Sequence, residues 1–433
     1  MLKASRFNFW ATFAPSRHLL LNGRTGALYE LDDEERLLAH AVLDDRAAPS
    51  SSPRDALLTA LEVGGFLIPD SLDEVGAMVA ANVSECAAHR SLDLVVVPTY
   101  ECNLRCTYCY VDFRKGRMTR AVENAVVRFV ERQLHAFADI KLTWFGGEPL
   151  LCTETVLRVS DEVGRVAGAA MVPWCGMITT NGFLLDRATT ARLRSAGIRY
   201  FHVTVDGASA LHDRSRPTAG GRGTYARIMD NLVELLGEVS DAHVTLRMNA
   251  SDGNVDSLTE VLDTVPVSYR SRVQVNVTPV RGGTTPPSAA LRTKIHQVVR
   301  LALENGYLGY EAPLPVGRTT FCAADKRRNF QIGPDGTLYK CSPAVTKPEV
   351  RVGRLDAGGE PHFDDRYATW HAAPIVDDRC RECRFLCFCA GGCRVERLRR
   401  SDDLSCRDEF VDLEGLIVNH YLSRVKPVQS PSA

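Results

Sequence analysis

From Leu92 onward the chain alternates short apolar runs with amphipathic ones. Leu94–Val97 is unbroken apolar sequence, and a run of about four to eight such residues between turn signals reads as a strand buried on both faces. Further strand-like runs occur at Ile140–Phe145, Met177–Thr180, Tyr200–Val205, Val244–Met248 and Val273–Val277. Helical patterns lie between them. Val122, Val126, Val130 and Leu134 share one face, as do Tyr225, Ile228, Leu232 and Leu235, because positions three and four apart line one side of a helix. Strand and helix in series, six times over, predict an α/β fold: a parallel sheet with crossover helices, open or partly closed as a barrel. Such sheets collect functional residues at the C-terminal ends of their strands. The unusual residues stand there. Cys102, Cys106 and Cys109 follow the first strand, Gly146-Gly147-Glu148-Pro149 the second, Thr180-Asn181-Gly182 the third and Asp206-Gly207 the fourth. Gly and Asn suit tight turns where backbone must approach a ligand.

The sequence before Leu92 has shorter elements. Leu19–Leu21 and Ala27–Leu31 read as strands around an Asn22–Gly26 turn, and a helix starts with Asp32 or Asp33 as N-cap. A Ser/Pro/Ala loop, Ala47–Pro53, precedes a second helical segment that leads into Gly64, Gly65 and Phe66–Ile68, and a helix over Leu72–Ala88 follows. This is a small α+β module. Beyond the Gly282–Ser288 loop and a helix over Leu291–Leu303, the chain becomes Cys-rich with little periodicity, and Lys426–Ala433 reads as a disordered tail.

Charge narrows the partners. The 433 residues carry 52 basic and 53 acidic side chains, a net charge of −1, so no excess positive field exists to draw nucleic acid or an anionic membrane surface. Length suggests about three domains. No apolar run approaches the ~18 residues of a membrane-spanning helix, and Met1–Leu21 mixes Arg, Asn, Pro and His into its apolar residues, unlike a secretion signal. The expectation is a cytoplasmic protein.

In a reducing compartment 14 cysteines point to metal rather than disulfides. Cys102-x3-Cys106-x2-Cys109 supplies three thiolates from one loop. A cubane iron–sulfur cluster usually takes four, so three with no nearby fourth leave one iron open to substrate or cofactor, as an open position marks a catalytic zinc. A zinc site, or reduced structural cysteines, is the alternative.

Cys102-Asn-Leu-Arg-Cys106-Thr-Tyr108-Cys109-Tyr110 resembles the signature of the radical S-adenosylmethionine (radical SAM) family, and later motifs from Leu92 to Asp408 follow its order. The resemblance implies a partial (β/α)6 barrel binding S-adenosyl-L-methionine (SAM) and one [4Fe–4S] cluster with an open iron. Tyr108 is the aromatic of the signature. Gly146, Gly147 and Glu148 match the segment that contacts the methionyl amino group, and Thr204 and Asp206 the strand end that faces ribose and carboxylate. Arg216 fits the arginine that pairs with the SAM carboxylate in related maturases, a pairing that makes physical sense. Thr180 and Asn181 are expected beside the cofactor and Val277 against the adenine. The open iron would chelate SAM, and one electron would release a 5′-deoxyadenosyl radical that abstracts hydrogen from an unactivated carbon.

Further on, Cys322-x13-Gly336-x4-Cys341, Cys380-x2-Cys383-x5-Cys389-x3-Cys393 and Cys406 resemble the seven-cysteine SPASM extension. The resemblance implies two auxiliary [4Fe–4S] clusters, one on Cys322, Cys341 and Cys393, the other on Cys380, Cys383, Cys389 and Cys406. A zinc-knuckle domain is the alternative. Only three ligands reach the first auxiliary cluster: either one iron stays free for a substrate group, or Cys387 completes the set. Cys86, Cys152 and Cys175 read as core residues. The N-terminal pattern, Thr25–Leu31 and Gly65–Ile68, resembles the PqqD-like element that binds a leader peptide as an added strand; a scaffold that merely covers the barrel is the plainer reading. The expected division is a PqqD-like module over 1–90, the partial barrel over 91–285, a linker helix over 286–315, a SPASM domain over 316–410, and a C-terminal helix and tail over 411–433.

Together these imply a radical SAM enzyme that cross-links a ribosomally made precursor peptide, by a thioether in preference to a carbon–carbon bond, with flavodoxin or ferredoxin as electron donor. Formylglycine-generating sulfatase maturation is the rival, although Ser342 stands where those enzymes carry Asp. A non-catalytic iron–sulfur or zinc peptide-binding scaffold is the reading from another class. Cys387 and Ser342 are substrate-side candidates by neighbourhood alone.

Overall fold

The structure, a computed structural model, describes residues 1–44, 52–88, 90–111, 113, 116–280, 287–309, 316, 322–372, 376, 378–399 and 412–425. They divide into two compact units. The first draws on Met1–Ala88, Glu311–Lys326 and Pro374–Pro427, the second on His89–Tyr310 and Arg327–Ala373. Among the described residues no helix is long and apolar enough to cross a membrane.

In the first unit the strands are β1 (Leu2–Ala4), β2 (Asn8–Ala14), β3 (Arg17–Asn22), β4 (Leu28–Leu31) and β5 (Leu67–Pro69). β2, β3 and β4 form an antiparallel sheet in that order, while β1 pairs with β5. Asp32 caps the helix Asp33–Leu43 in a capping box: the Glu35 N–H donates to Asp32 at 2.8 Å, and the Asp32 N–H to Glu35 at 3.0 Å. Both faces of the sheet are buried. Leu20 packs with Leu31, Ala39, Leu61 and Phe66 on the side of the helices Asp33–Leu43 and Ser52–Val63. On the other side the Phe9 ring packs tilted against Phe388 at 4.8 Å and Phe13 against Tyr421 at 5.2 Å. The helices Leu386–Cys389 and Leu413–Val425 therefore close the N-terminal sheet. β2 is absent from the sequence reading because its aromatic residues serve both faces: Phe9 meets Phe388, whereas Trp10 stacks on His40 at 4.2 Å. That hides the twofold alternation a half-buried strand displays.

In the second unit β6 (Ser91–Val96), β7 (Asp139–Trp144), β8 (Trp174–Thr180), β9 (Ile198–Thr204), β10 (His243–Ala250) and β11 (Val273–Pro279) run parallel in sequence order. β12 (Leu308–Gly309) extends one edge, and β13 (Phe330–Ile332), β14 (Thr337–Tyr339), β15 (Arg351–Leu355) and β16 (Pro361–Phe363) the other. β13 joins β6 in parallel, and the last three follow as an antiparallel meander. This is the expected α/β architecture with a mostly parallel sheet. The extension by β13–β16 was not legible, since three of the four strands have only three residues, too few to show a period. Leu94, Leu142, Ile178, Phe201, Val203, Leu246 and Val275 face the crossover helices and form the main core with them. The alternate positions, among them Thr245, Arg247 and Asn249 on β10, face the barrel interior.

Candidate functional site

Past the end of β6 the chain continues beside the segment that follows β7. Gly147 N–H donates to Thr99 O at 3.1 Å and Glu148 N–H to Glu101 O at 2.8 Å. The approach is close enough to exclude a side chain: a Cβ on Gly147 would lie 2.1 Å from Glu101 O, and one on Gly146 2.5 Å from Thr99 O. Gly146 also has a φ of 134°, which strains any residue but glycine. The two glycines thus let the Glu148 segment lie directly against the root of the cysteine loop.

Glu148 is fully buried. Its carboxylate accepts from Thr180 Oγ1 at 2.8 Å, Asn181 N–H at 2.8 Å and Leu150 N–H at 3.0 Å. Burial raises the carboxyl above its ordinary value, against those hydrogen bonds. Asn181 then reaches the cysteine loop, its Nδ2 donating to Asn103 Oδ1 at 2.8 Å and lying 3.8 Å from Cys102 Sγ. Burial, followed by the Glu148 charge, pushes the Cys102 thiol up to about 12, and burial raises Cys106 in spite of Arg216. Thiols so placed favour ionisation when a metal compensates the charge.

A second net ties the loop to β9 and β10. Tyr108 OH donates to Asp206 Oδ2. Arg216 Nη1 donates to Tyr108 OH at 2.6 Å and lies 3.4 Å from the same carboxylate oxygen. Asn249, at the end of β10, gives Asp206 its backbone N–H at 2.7 Å and donates from Nδ2 to Tyr108 OH at 3.1 Å. Burial raises the Tyr108 pKa; it opposes the charge on Arg216, but Asp206, Tyr108 and Cys106 together outweigh it and hold that guanidinium protonated. The loop itself is laced to the segment around Arg216: Arg105 N–H donates to Pro217 O at 2.8 Å, Thr107 N–H to Ser215 O at 2.9 Å and Ala219 N–H to Asn103 O at 2.8 Å.

Tyr108, Gly146, Gly147, Glu148, Thr180, Asn181, Asp206 and Arg216 therefore assemble around the three cysteines. Thr204 ends β9 half-buried, opposite Arg247 of β10. Val277 lies near the end of β11 and is half-buried. It packs against the helix-side core, so its strand neighbours Asn276 and Thr278 hold the interior face. Asn249 was missed, although its place at a strand end, beside Asp206, was a usable signal. His212 and Thr224, both buried beneath Asp206, had none.

Of the C-terminal cysteines, Cys322, Cys380, Cys383, Cys389 and Cys393 belong to the first unit and Cys341 to the second; Cys406 lies outside the described residues. Cys387 is 1% exposed. A Cβ on Gly23 would lie 2.4 Å from its Sγ, so Cys387 packs against the turn that follows β3. Cys86 and Cys152 are buried and Cys175 is half-buried. Among the described residues no three His, Cys, Asp or Glu converge on a single ion; a cubane cluster takes each thiolate at a separate iron.

The donor set fits SAM and an iron–sulfur cluster. Arg216 Nε and Asn103 Nδ2 are buried donors without a protein partner, the Glu148 carboxylate is shielded from water, and the glycine segment gives a ligand backbone to lie against. Comparison with known proteins agrees. Residues 96–264 match the radical SAM superfamily. The Fe-coproporphyrin III synthase of Methanosarcina barkeri is 26% identical over 38% of this chain and 38% of its own; the chain spans less than half the length of the curated relatives it matches. Among solved structures, anSMEcpe with bound AdoMet and a peptide is 18% identical, with a TM-score of 0.60 over 76% of this chain and 97% of that one. Streptococcus suis SuiB bound to S-adenosylmethionine is 15% identical, with a TM-score of 0.54 over 95% of this chain and all of that one. These likenesses show the fold. A radical SAM domain carries one [4Fe–4S] cluster and SAM.

Proposed function

With residues 96–264 a radical SAM domain, we propose that this chain is a peptide-modifying radical SAM enzyme that installs an intrapeptide cross-link, a thioether in preference to a carbon–carbon bond, in a ribosomally made precursor. When bound, SAM and the cluster on Cys102, Cys106 and Cys109 supply a 5′-deoxyadenosyl radical for hydrogen abstraction. The protein's residues hold and orient. Arg216 offers its unpartnered Nε to a carboxylate, Glu148 accepts from an ammonium, and Asn181 with the glycine pair keeps the loop in register.

The observation that carries the reading toward peptides is the outer edge of β4. Asn22 N–H donates to Ala27 O at 2.9 Å, which makes 22 and 27 a hydrogen-bonded pair. With Leu21 opposite Leu28 and Leu19 opposite Glu30, antiparallel alternation turns the backbone groups of Leu28 and Glu30 away from β3. A leader peptide can add there as a strand. In support, SuiB has been crystallised with its precursor peptide SuiA. Auxiliary [4Fe–4S] clusters on Cys322, Cys341 and Cys393, and on Cys380, Cys383, Cys389 and Cys406, belong to this proposal, as do a flavodoxin or ferredoxin donor and a cytoplasmic setting.

The test is iron, sulfide and zinc per chain after anaerobic purification, followed by SAM cleavage with precursor peptides encoded beside the gene. About twelve irons per chain and a peptide lighter by two hydrogens per link are expected. A hydrazide-reactive aldehyde on the peptide would mean formylglycine formation instead, the reading favoured by the anSMEcpe likeness and disfavoured by Ser342. Cluster binding without SAM cleavage would leave a scaffold.

A further inference from the structure

His212, at the fourth position of the short helix Ser209–Ser215, is fully buried beneath the Asp206–Arg216 pair. Its Nδ1 accepts the Asp206 backbone N–H at 3.2 Å, and its Nε2 lies 3.2 Å from Thr224 Oγ1. The Thr224 hydroxyl in turn donates to the backbone carbonyl of Arg216 at 2.8 Å. These partners settle the tautomer by elimination. A backbone N–H can only donate, so Nδ1 is unprotonated and the ring proton sits on Nε2. Thr224 has one hydroxyl hydrogen, spent on Arg216 O, so it must accept from the ring. The donor order Asp206 N–H to His212 to Thr224 to Arg216 O is thus unambiguous. Next to it, Asp213 Oδ1 accepts the N–H groups of Thr224 and Tyr225 at 2.7 and 2.8 Å, which pins the far end of the Arg216–Thr224 loop.

We infer that His212 is a positioning residue for SAM: its two ring nitrogens hold the backbone of Asp206 and, through Thr224, that of Arg216 at a fixed separation, so that the Arg216 Nε stays aimed at the ligand. Because the Arg216 segment is laced to the cysteine loop through Arg105, Thr107 and Ala219, the same relay sets the loop against the cofactor. The inference rests on the reading of this site as a SAM site.

The test uses the full chain, reconstituted and reduced without oxygen, with SAM affinity read from the change in the cluster's electron paramagnetic resonance spectrum on SAM titration. His212→Phe should keep wild-type iron content and weaken SAM about 10–100-fold, the usual effect of removing a group that orients a ligand-binding residue. His212→Asn, which returns an acceptor to the Asp206 N–H, should recover most of that loss. Thr224→Val, which cuts only the second half of the relay, should weaken SAM severalfold with iron unchanged. Wild-type SAM affinity in His212→Phe overturns the inference. If both His212 variants lose iron, Thr224→Val decides, and wild-type affinity there overturns it too. Wild-type protein that binds its cluster but no SAM overturns the SAM reading and this inference together.

Discussion

Gly147 and Arg216 show two ways in which single residues bind this site together. Gly147 acts by absence: its Cβ would sit 2.1 Å from Glu101 O and 2.6 Å from Glu101 C, and backbone cannot swing aside as a side chain can. Gly147→Ala should destabilise the protein by about 1–3 kcal/mol, the range for forced overpacking, and lower iron per chain. Urea unfolding beside iron analysis checks this; an unchanged midpoint with full iron would mean that the loop root yields freely. Arg216 acts by charge, one cation serving Tyr108, Asp206 and a free donor direction. The motif residues were legible one by one because each is an unusual residue at a strand end. Val277 shows what a strand end leaves open: proximity to it says nothing of face, and parity groups Val277 with Val273 and Val275, which are buried in the main core.

Elements raise a different question, namely which edges and faces are left to use. β2 has helix Leu413–Val425 packed beside it and gives its Asn8 carbonyl to Arg384 Nη2 at 3.4 Å. At β4 the Glu30 side chain is held by Arg17 at 2.5 Å and by Tyr421, which stiffens the strand while its outward backbone groups stay directed away from β3. Proline at position 28 removes one outward N–H and spares the β3–β4 ladder, the setting in which edge strands tolerate proline. Leu28→Pro should therefore weaken leader-peptide binding at least about tenfold, the loss of an edge hydrogen bond and its neighbours, while SAM cleavage without leader is unchanged. Calorimetry with the leader alone measures the first and nucleoside release the second; equal leader affinity in both proteins would place the leader elsewhere.

For the whole molecule, histidines that folding makes harder to protonate link stability to pH. Burial lowers His202 and His212 from 6.5 to about 4 in the folded chain, with Arg247 and Arg216 adding to it respectively. The unfolded chain takes up these protons near pH 6.5 and the folded chain only near 4. Their contribution is therefore fully present above pH 6.5 and is lost as pH falls toward 4, at about 1.4 kcal/mol per pH unit for the fully buried His212. Denaturant midpoints between pH 7 and 5 should fall for the wild type and fall less steeply for His212→Asn; parallel slopes would contradict the assignment. By itself the sequence determined the α/β class, the order of the βα units and the residue types at their strand ends, because periodicity and turn chemistry are local properties read within a few positions. Only the tertiary structure decided that Leu386–Cys389 and Leu413–Val425 close the N-terminal sheet, that β13–β16 prolong the parallel sheet, that Cys387 fills the space above Gly23, and that Asn249 and His212 lock Asp206. Those pairings join positions far apart along the chain, and the burial and hydrogen bonding that select them exist only once the distant partners are packed together.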